Sequence, residues 1–308
     1  MTGLTTRGPV APDVNGLRVP ERTLELLRDL VLEHTGMFYD DARIGFMRDR
    51  LAPLVIERGF DSFLDYYYLL KYDAGAAQEW LRAIDALSVQ ETYFWREFDQ
   101  IKALVGTVVP ALAAEGRTPL RVLSVPCASG EEPLTVAMAL DEAGWFARMR
   151  IDIRAADASE AALGRARAGR YRGRSFRQLP PAMQDKYFRR TAVDGEWAIN
   201  PEIHTRVSSW TRANVIVPDE LRRLGPFDVI FCRNLFIYFT PPTITTVVAT
   251  LAELLPRGGI LFIGAAESLL RTASPFEMRE IGGAYAYVKA LGAAEYVCEP
   301  NRESPRRG

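Results

Sequence analysis

Leu120-Arg-Val-Leu-Ser-Val125-Pro-Cys127-Ala-Ser-Gly130-Glu-Glu-Pro133 decides the fold. Arg121 to Val125 is a short, mostly aliphatic run, the pattern of a buried strand. Cys127-Ala-Ser-Gly130 forms a tight turn, and from Glu131 to Gly144 the residues Leu134, Ala137, Met138 and Leu140 recur at helical spacing. The rhythm of strand, glycine turn and helix then repeats. Arg150 to Ala155 reads as a second strand ending at Ala156-Asp157, followed by a helix from Ser159 through Ala168. Phe227 to Phe231 and Gly259 to Ile263 are further strands, the latter after the Pro256–Gly259 turn, and the alternating Ala284 to Val288 suits an edge strand. Strands separated by helices imply right-handed crossovers and a mainly parallel sheet, hence an α/β fold.

Upstream of this unit the pattern is helical. Leu24, Leu27, Leu30 and Val31 share a helix face stopped by Gly36; a second helix starts near Asp40 or Asp41 and runs to Glu57; a third is capped by Asp61 or Ser62; a fourth covers Ala76 to Leu87. The division that results is a flexible lead-in at 1–20, a helical domain at 21–88, a linker and connecting helix at 89–119, the α/β domain at 120–290 and a polar tail at 291–308. Within the α/β domain, about 169–213 breaks the rhythm. Its short alternating runs Glu196–Ile199 and His204–Val207 predict a small antiparallel β-subdomain inserted there.

Composition narrows the function. The 308 residues carry a net charge of -1, without the basic excess of a nucleic-acid binder. Cys127, Cys232 and Cys298 show no CxxC spacing, and His34 and His204 are the only histidines, so neither a disulfide framework nor a metal centre is expected. The first twenty residues do not read as a signal peptide, so none is expected, and no apolar stretch nears the ~18 residues that span a bilayer. A cytoplasmic, monomeric protein without membrane insertion is expected.

In an open parallel sheet, ligands bind beyond the carboxyl ends of the strands. Gly130 lets backbone approach a ligand, and Asp157, at the end of the second strand, suits a ribose diol. The loop lacks G-x-G-x-x-G, and Glu131-Glu132 would repel a pyrophosphate but suit a cationic ligand. Arg233 and Asn234 interrupt an apolar run and belong at a strand end facing the cleft, with Tyr238 offering a hydroxyl nearby. Thr92-Tyr-Phe-Trp-Arg96 joins the two domains, where ligand pockets are common. Each of these features has a plainer alternative: a charged helix start, a structural ion pair, an aromatic hinge.

Together they resemble a family. Ser88-Val-Gln-Glu-Thr-Tyr-Phe-Trp-Arg-Glu97, Pro126-Cys-Ala-Ser-Gly-Glu-Glu-Pro133, Phe227-Asp-Val-Ile-Phe-Cys-Arg-Asn-Leu-Phe-Ile-Tyr-Phe239 and Leu255-Pro-Arg-Gly-Gly-Ile-Leu-Phe-Ile-Gly264 with Glu267 are similar, in order and spacing, to motifs of the CheR-type chemoreceptor glutamate O-methyltransferases. The resemblance implies a Rossmann-like class I methyltransferase domain and S-adenosylmethionine as methyl donor. It implies donor contacts by Gln90, Thr92, Arg96, Cys127, Gly130, Glu132, Asp157, Asn214, Val215, Arg233 and Asn234. Arg96 and Tyr238 become the candidates to orient the reacting carboxylate. The helical domain would face a receptor's cytoplasmic helical bundle through Arg43, Arg48 and Arg50, with Arg58 a further candidate. The β-subdomain would be able to dock a receptor's C-terminal peptide. Gln90, Pro126, Ala128, Leu134 and Ala265-Ala266 depart from the family's usual residues. The departures motivate one rival, a donor-binding signalling module without turnover; a small-molecule carboxyl methyltransferase on the same fold is a second, against which the helical domain and β insertion argue.

Overall fold

The computed structural model describes residues 16–20 and 22–290. The lead-in before residue 16, the tail 291–308 and Cys298 lie outside the described residues. The chain begins with four helices, α1 (Thr23–Thr35), α2 (Ile44–Glu57), α3 (Phe63–Tyr72) and α4 (Ala76–Leu87). Gly36 ends α1 in the left-handed region, φ 74°, its N–H bonded to the Leu32 carbonyl. The α2 helix starts at Ile44, later than expected, because Asp40 closes a turn by accepting the Arg43 N–H at 2.9 Å. Ser62 caps α3 through the Leu64 N–H. Leu27, Val31, Met47, Leu51, Val55, Phe63 and Tyr66 form the core between these helices.

Helices α5 (Phe98–Ala103) and α6 (Val109–Ala114), joined by a π turn, lead into β1 (Leu120–Ser124). Then follow α7 (Glu131–Glu142), β2 (Ile151–Asp157) and α8 (Glu160–Ala168). The insertion holds β3 (Arg170–Arg172), α9 (Pro181–Tyr187), β4 (Phe188–Arg190), β5 (Glu196–Ile199) and α10 (Pro201–His204). The chain returns through β6 (Val207–Arg212), α11 (Pro218–Arg222), β7 (Val229–Phe231), α12 (Pro241–Leu254) and β8 (Ile260–Phe262), ending in β9 (Phe276–Ile281) and β10 (Ala284–Lys289).

The main sheet has seven strands in the order β6-β2-β1-β7-β8-β10-β9. The first five are parallel; β10 is antiparallel to both β8 and β9. From β1 the chain winds outward through β2 to β6, then crosses back to β7. The order therefore reverses beside β1, and a crevice opens above the carboxyl ends of β1 and β7. This is the Rossmann-like architecture expected, with helices on both faces and an all-helical N-terminal domain.

The subdomain is a three-stranded antiparallel sheet, β3-β5-β4. One of its expected strands is placed differently. His204 ends the short helix α10, seeded by Pro201 at its first turn, and Val207 opens β6 of the main sheet. A four-residue alternation cannot separate these cases. The strands that flank β5 are instead Arg170–Arg172 and Phe188–Arg190, hidden among arginines.

Candidate active site

Asp157 ends β2 and is buried, 7% exposed. One oxygen accepts the Ala128 N–H and the other the Ser159 N–H, both at 2.8 Å. Burial pushes its carboxyl up in spite of these donors. Each oxygen keeps further acceptor capacity. The loop before it is held on both sides of Pro126: Val125 N–H bonds Phe231 O at 2.9 Å and Cys127 N–H bonds Ala156 O at 2.8 Å. Proline at 126 therefore removes no bond from this frame. Ala128 sits in the left-handed region, φ 46°.

The opposite wall comes from the chain after β7. Arg233 is buried, with ion pairs to Glu97 at 3.1 Å and Glu132 at 3.2 Å and a hydrogen bond to the Arg96 carbonyl at 2.8 Å. Among the described residues its Nε has no partner. Glu132, in the first turn of α7, also accepts from the Ser124 hydroxyl at 2.6 Å. Burial pushes Glu132 up, with Arg233 offsetting part of the effect. Burial also raises Glu97, but Arg233, the Asn234 amide and the Ala265 N–H outweigh it and hold Glu97 below the ordinary glutamate range.

Asn234 is left-handed, φ 58°, and its amide donates to Glu97 at 3.2 Å. Glu267 fixes this turn. Its Oε2 accepts the N–H groups of Asn234 and Gly264 at 2.8 and 2.7 Å, and its Oε1 accepts that of Phe236 at 2.6 Å. Gly264 must be small, since a Cβ there would stand 2.5 Å from Asn234 Nδ2 and 2.9 Å from Asn234 N. Ala128 and Asn234, two of the five non-glycine residues with positive φ among the described residues, line this cleft, and Glu97, a third, accepts from the Asn234 amide. Such backbone is costly unless its surroundings fix it, and it gathers at functional sites.

Two adjacent cavities result. The first is lined by Asp157, Asn214, Val215, Asn234 and Tyr238 on the sheet side and by Thr35, Met37, Ile84 and Gln90 from the helical domain and linker. The second holds Thr92, Arg96, Cys127, Glu132 and Arg233. Both touch Pro126, Ala128 and Asn234. Asn214 donates to the His34 carbonyl at 2.8 Å, Gln90 donates to the Ser159 hydroxyl at 3.0 Å, and that hydroxyl donates to Asp85 at 2.6 Å. The helical domain is thereby stitched to the cavity wall.

Nearly all the expected donor-binding residues line these cavities. Gly130 stands behind them: its φ of 95° and the Trp210 ring, 3.0 Å from where a Cβ would be, explain the glycine. Arg96 donates to the Glu91 carbonyl at 2.6 Å and lies over the Tyr93 ring. Burial raises the Tyr238 phenol, with Arg96 and Arg43 nearby pulling it down. Arg43 is exposed at the start of α2. Arg48 pairs with Asp49, and Arg50 lies over the Phe46 ring, both at the surface of α2. Arg58 is committed elsewhere, to the fully buried Glu79. Sequence reasoning gave no role to Glu97 or Glu267, which appear only within the quoted motifs, and did not single out Asp85. Carboxylates just beyond strand ends or next to the Thr92–Arg96 segment were the available signal.

Comparison with known proteins agrees with this geometry. A family model described as "CheR methyltransferase, SAM binding domain" matches residues 90–283, and one described as "CheR methyltransferase, all-alpha domain" matches residues 22–88. Chemotaxis protein methyltransferase 2 of Vibrio cholerae is 34% identical over 265 residues, covering 85% of this chain and 91% of that protein. A probable biofilm formation methyltransferase, WspC of Pseudomonas putida, is 35% identical over 276 residues, covering 89% of this chain and 63% of that one. Chemotaxis protein methyltransferase 1 of Pseudomonas aeruginosa is 30% identical over 263 residues, covering 82% and 93%. With both of the family's domains matched along most of its length, the chain belongs to the CheR methyltransferase family.

Proposed function

We propose that this protein transfers a methyl group from S-adenosylmethionine to glutamate side chains of a chemoreceptor's cytoplasmic helical region, inside the cell and as part of chemosensory adaptation. The observation that carries this reading is the polarity of the cleft. Carboxylates at Asp157 and Glu132 line two adjoining cavities that share Pro126, Ala128 and Asn234, and the buried Arg233 Nε has no partner among the described residues. That set fits a ligand with a ribose diol, an ammonium and a carboxylate: Asp157 for the diol, Glu132 for the cation, Arg96 and Arg233 for the anion. Asn214 and Val215 would flank the base.

S-adenosylmethionine supplies, when bound, an electrophilic methyl on a positively charged sulfur. The residues of the chain need only align and shield. A substrate glutamate, with a reference pKa of ~4.3, is already ionised at neutral pH and requires no base. Its carboxylate oxygen forms the new bond to the methyl carbon while the carbon–sulfur electron pair departs on sulfur, giving a γ-glutamyl methyl ester and S-adenosylhomocysteine. Tyr238, kept protonated by its surroundings, donates a hydrogen bond to the incoming carboxylate, and Arg96 fixes its direction. Arg43, Arg48 and Arg50 meet the acidic face of the receptor. Incubation with tritiated S-adenosylmethionine and the organism's receptors should yield base-labile label. Donor binding by calorimetry without any label would overturn the assignment in favour of a module without turnover.

A further inference from the structure

Residues 165–177 read Arg165-Ala-Arg-Ala-Gly-Arg170-Tyr-Arg-Gly-Arg-Ser-Phe-Arg177, six arginines with no acidic residue among them. The fold turns this run into one wall of a cleft. In β3 the Tyr171 side chain is buried while Arg170 and Arg172 point to the other face, as strand alternation requires. Tyr171 bonds the Ser129 carbonyl at 2.9 Å, and the Ser175 hydroxyl bonds Glu131 at 2.9 Å, which fastens the wall to the start of α7. Arg165, Arg170, Arg172, Arg174 and Arg177 then line a cleft whose other side is Gln90, Glu91 and Thr92, residues that also border the two cavities of the active site.

The positive charge is only partly neutralised. Glu196 is shared between Arg170 at 3.0 Å and Arg172 at 3.6 Å, and Glu91 takes Arg177 at 2.5 Å. Among the described residues, Arg165 and Arg174 have no ion pair within 4.0 Å. Arg177 also covers the Tyr93 ring, whose other neighbour is Arg96. A cationic track therefore leads from the reacting end of the site into the cleft.

We propose that this cleft is a docking surface for an acidic stretch of the substrate protein, held beside the glutamate that is methylated. The proposal rests on the reading of the site as a glutamate methyltransferase. It commits to a carboxylate-rich peptide because the cleft offers several spaced, exposed guanidinium groups rather than one enclosed anion pocket. The cleft does not include Arg43, Arg48 or Arg50 at α2, so it is distinct from the surface those residues offer.

The test is the double variant Arg172→Glu with Arg174→Glu, against Arg148→Glu as a control far from the cleft. Binding of fluorescein-labelled poly-L-glutamate at low salt should weaken about tenfold in the double variant, and KM for the receptor should rise by a similar factor. Both kcat and the Kd for S-adenosylmethionine should stay within about twofold, and Arg172→Lys with Arg174→Lys should restore KM. Unchanged poly-L-glutamate affinity, an equal loss in Arg148→Glu, or a parallel loss of donor affinity overturns the proposal. If the native protein binds poly-L-glutamate through the cleft yet methylates no receptor, the docking surface stands and the assigned reaction falls.

Discussion

The Glu267 carboxylate accepts the backbone N–H of Asn234 at 2.8 Å, from beyond the end of a neighbouring strand. With the Gly264 and Phe236 N–H groups on the same carboxylate, it sets the turn that carries Asn234 and leads to Tyr238. Glu267→Gln would aim an NH2 group at N–H donors. Chemical denaturation should show a loss of roughly 1–3 kcal/mol, and calorimetry a weaker Kd for S-adenosylmethionine. Unchanged values for both would mean the turn holds without this carboxylate.

Gly264→Ala tests the same turn by volume. The added methyl would collide with both the amide and the backbone nitrogen of Asn234. Donor affinity should fall by about tenfold or more, with a stability loss of about 1–3 kcal/mol from forced repacking. A variant with native Kd would show that Asn234 can shift without consequence.

Donor binding should depend on pH through Glu132. Burial raises this carboxyl, so the empty protein takes up the proton at a higher pH than a free glutamate would. A cationic ligand requires the ionised form. Affinity should therefore fall as pH is lowered from neutral, beginning above the ordinary glutamate range. Glu132→Gln should bind more weakly and with a flatter pH profile between pH 5 and 8. An unaltered slope would assign the dependence to Asp157, which burial raises in the same direction.

Tyr238→Phe separates orientation of the substrate from binding of the donor. The Tyr238 side chain lines the first cavity and Arg96 the second. Loss of the hydroxyl should cut kcat about tenfold to a hundredfold and leave the Kd for S-adenosylmethionine within about twofold. Equal losses in both would place the phenol against the donor instead.

The sheet was legible because β1, β7 and β8 are mostly apolar runs and β2 is an alternating one, each closed by a glycine turn or a polar strand end, and each took its expected place. Arg233 and Asn234 were legible for the same reason: polar groups inside an apolar strand must face a cleft or a partner. Arg233 does both. Glu97 and Glu267 were not legible, because a carboxylate that collects N–H groups from distant segments has no periodicity of its own. Arg58 looked like a surface cation until α4 brought the buried Glu79 beneath it, with the Tyr66 hydroxyl on the same carboxylate at 2.9 Å. The β-subdomain was partly hidden, since β3 and β4 are each two-thirds arginine and lack a strand's usual composition.

The bond from Asn214 to the His34 carbonyl, and the Asp85–Ser159–Gln90 chain beside it, make the first helices part of the cavity that the sheet opens. A truncated enzyme beginning after α4 would offer only an open shelf where Thr35, Met37 and Ile84 now roof the first cavity. Replacing these helices to redirect the enzyme toward another target would thus mean rebuilding the roof as well. On the proposed reading, target choice and nucleoside retention would be tied to the same piece of chain and could not be exchanged separately.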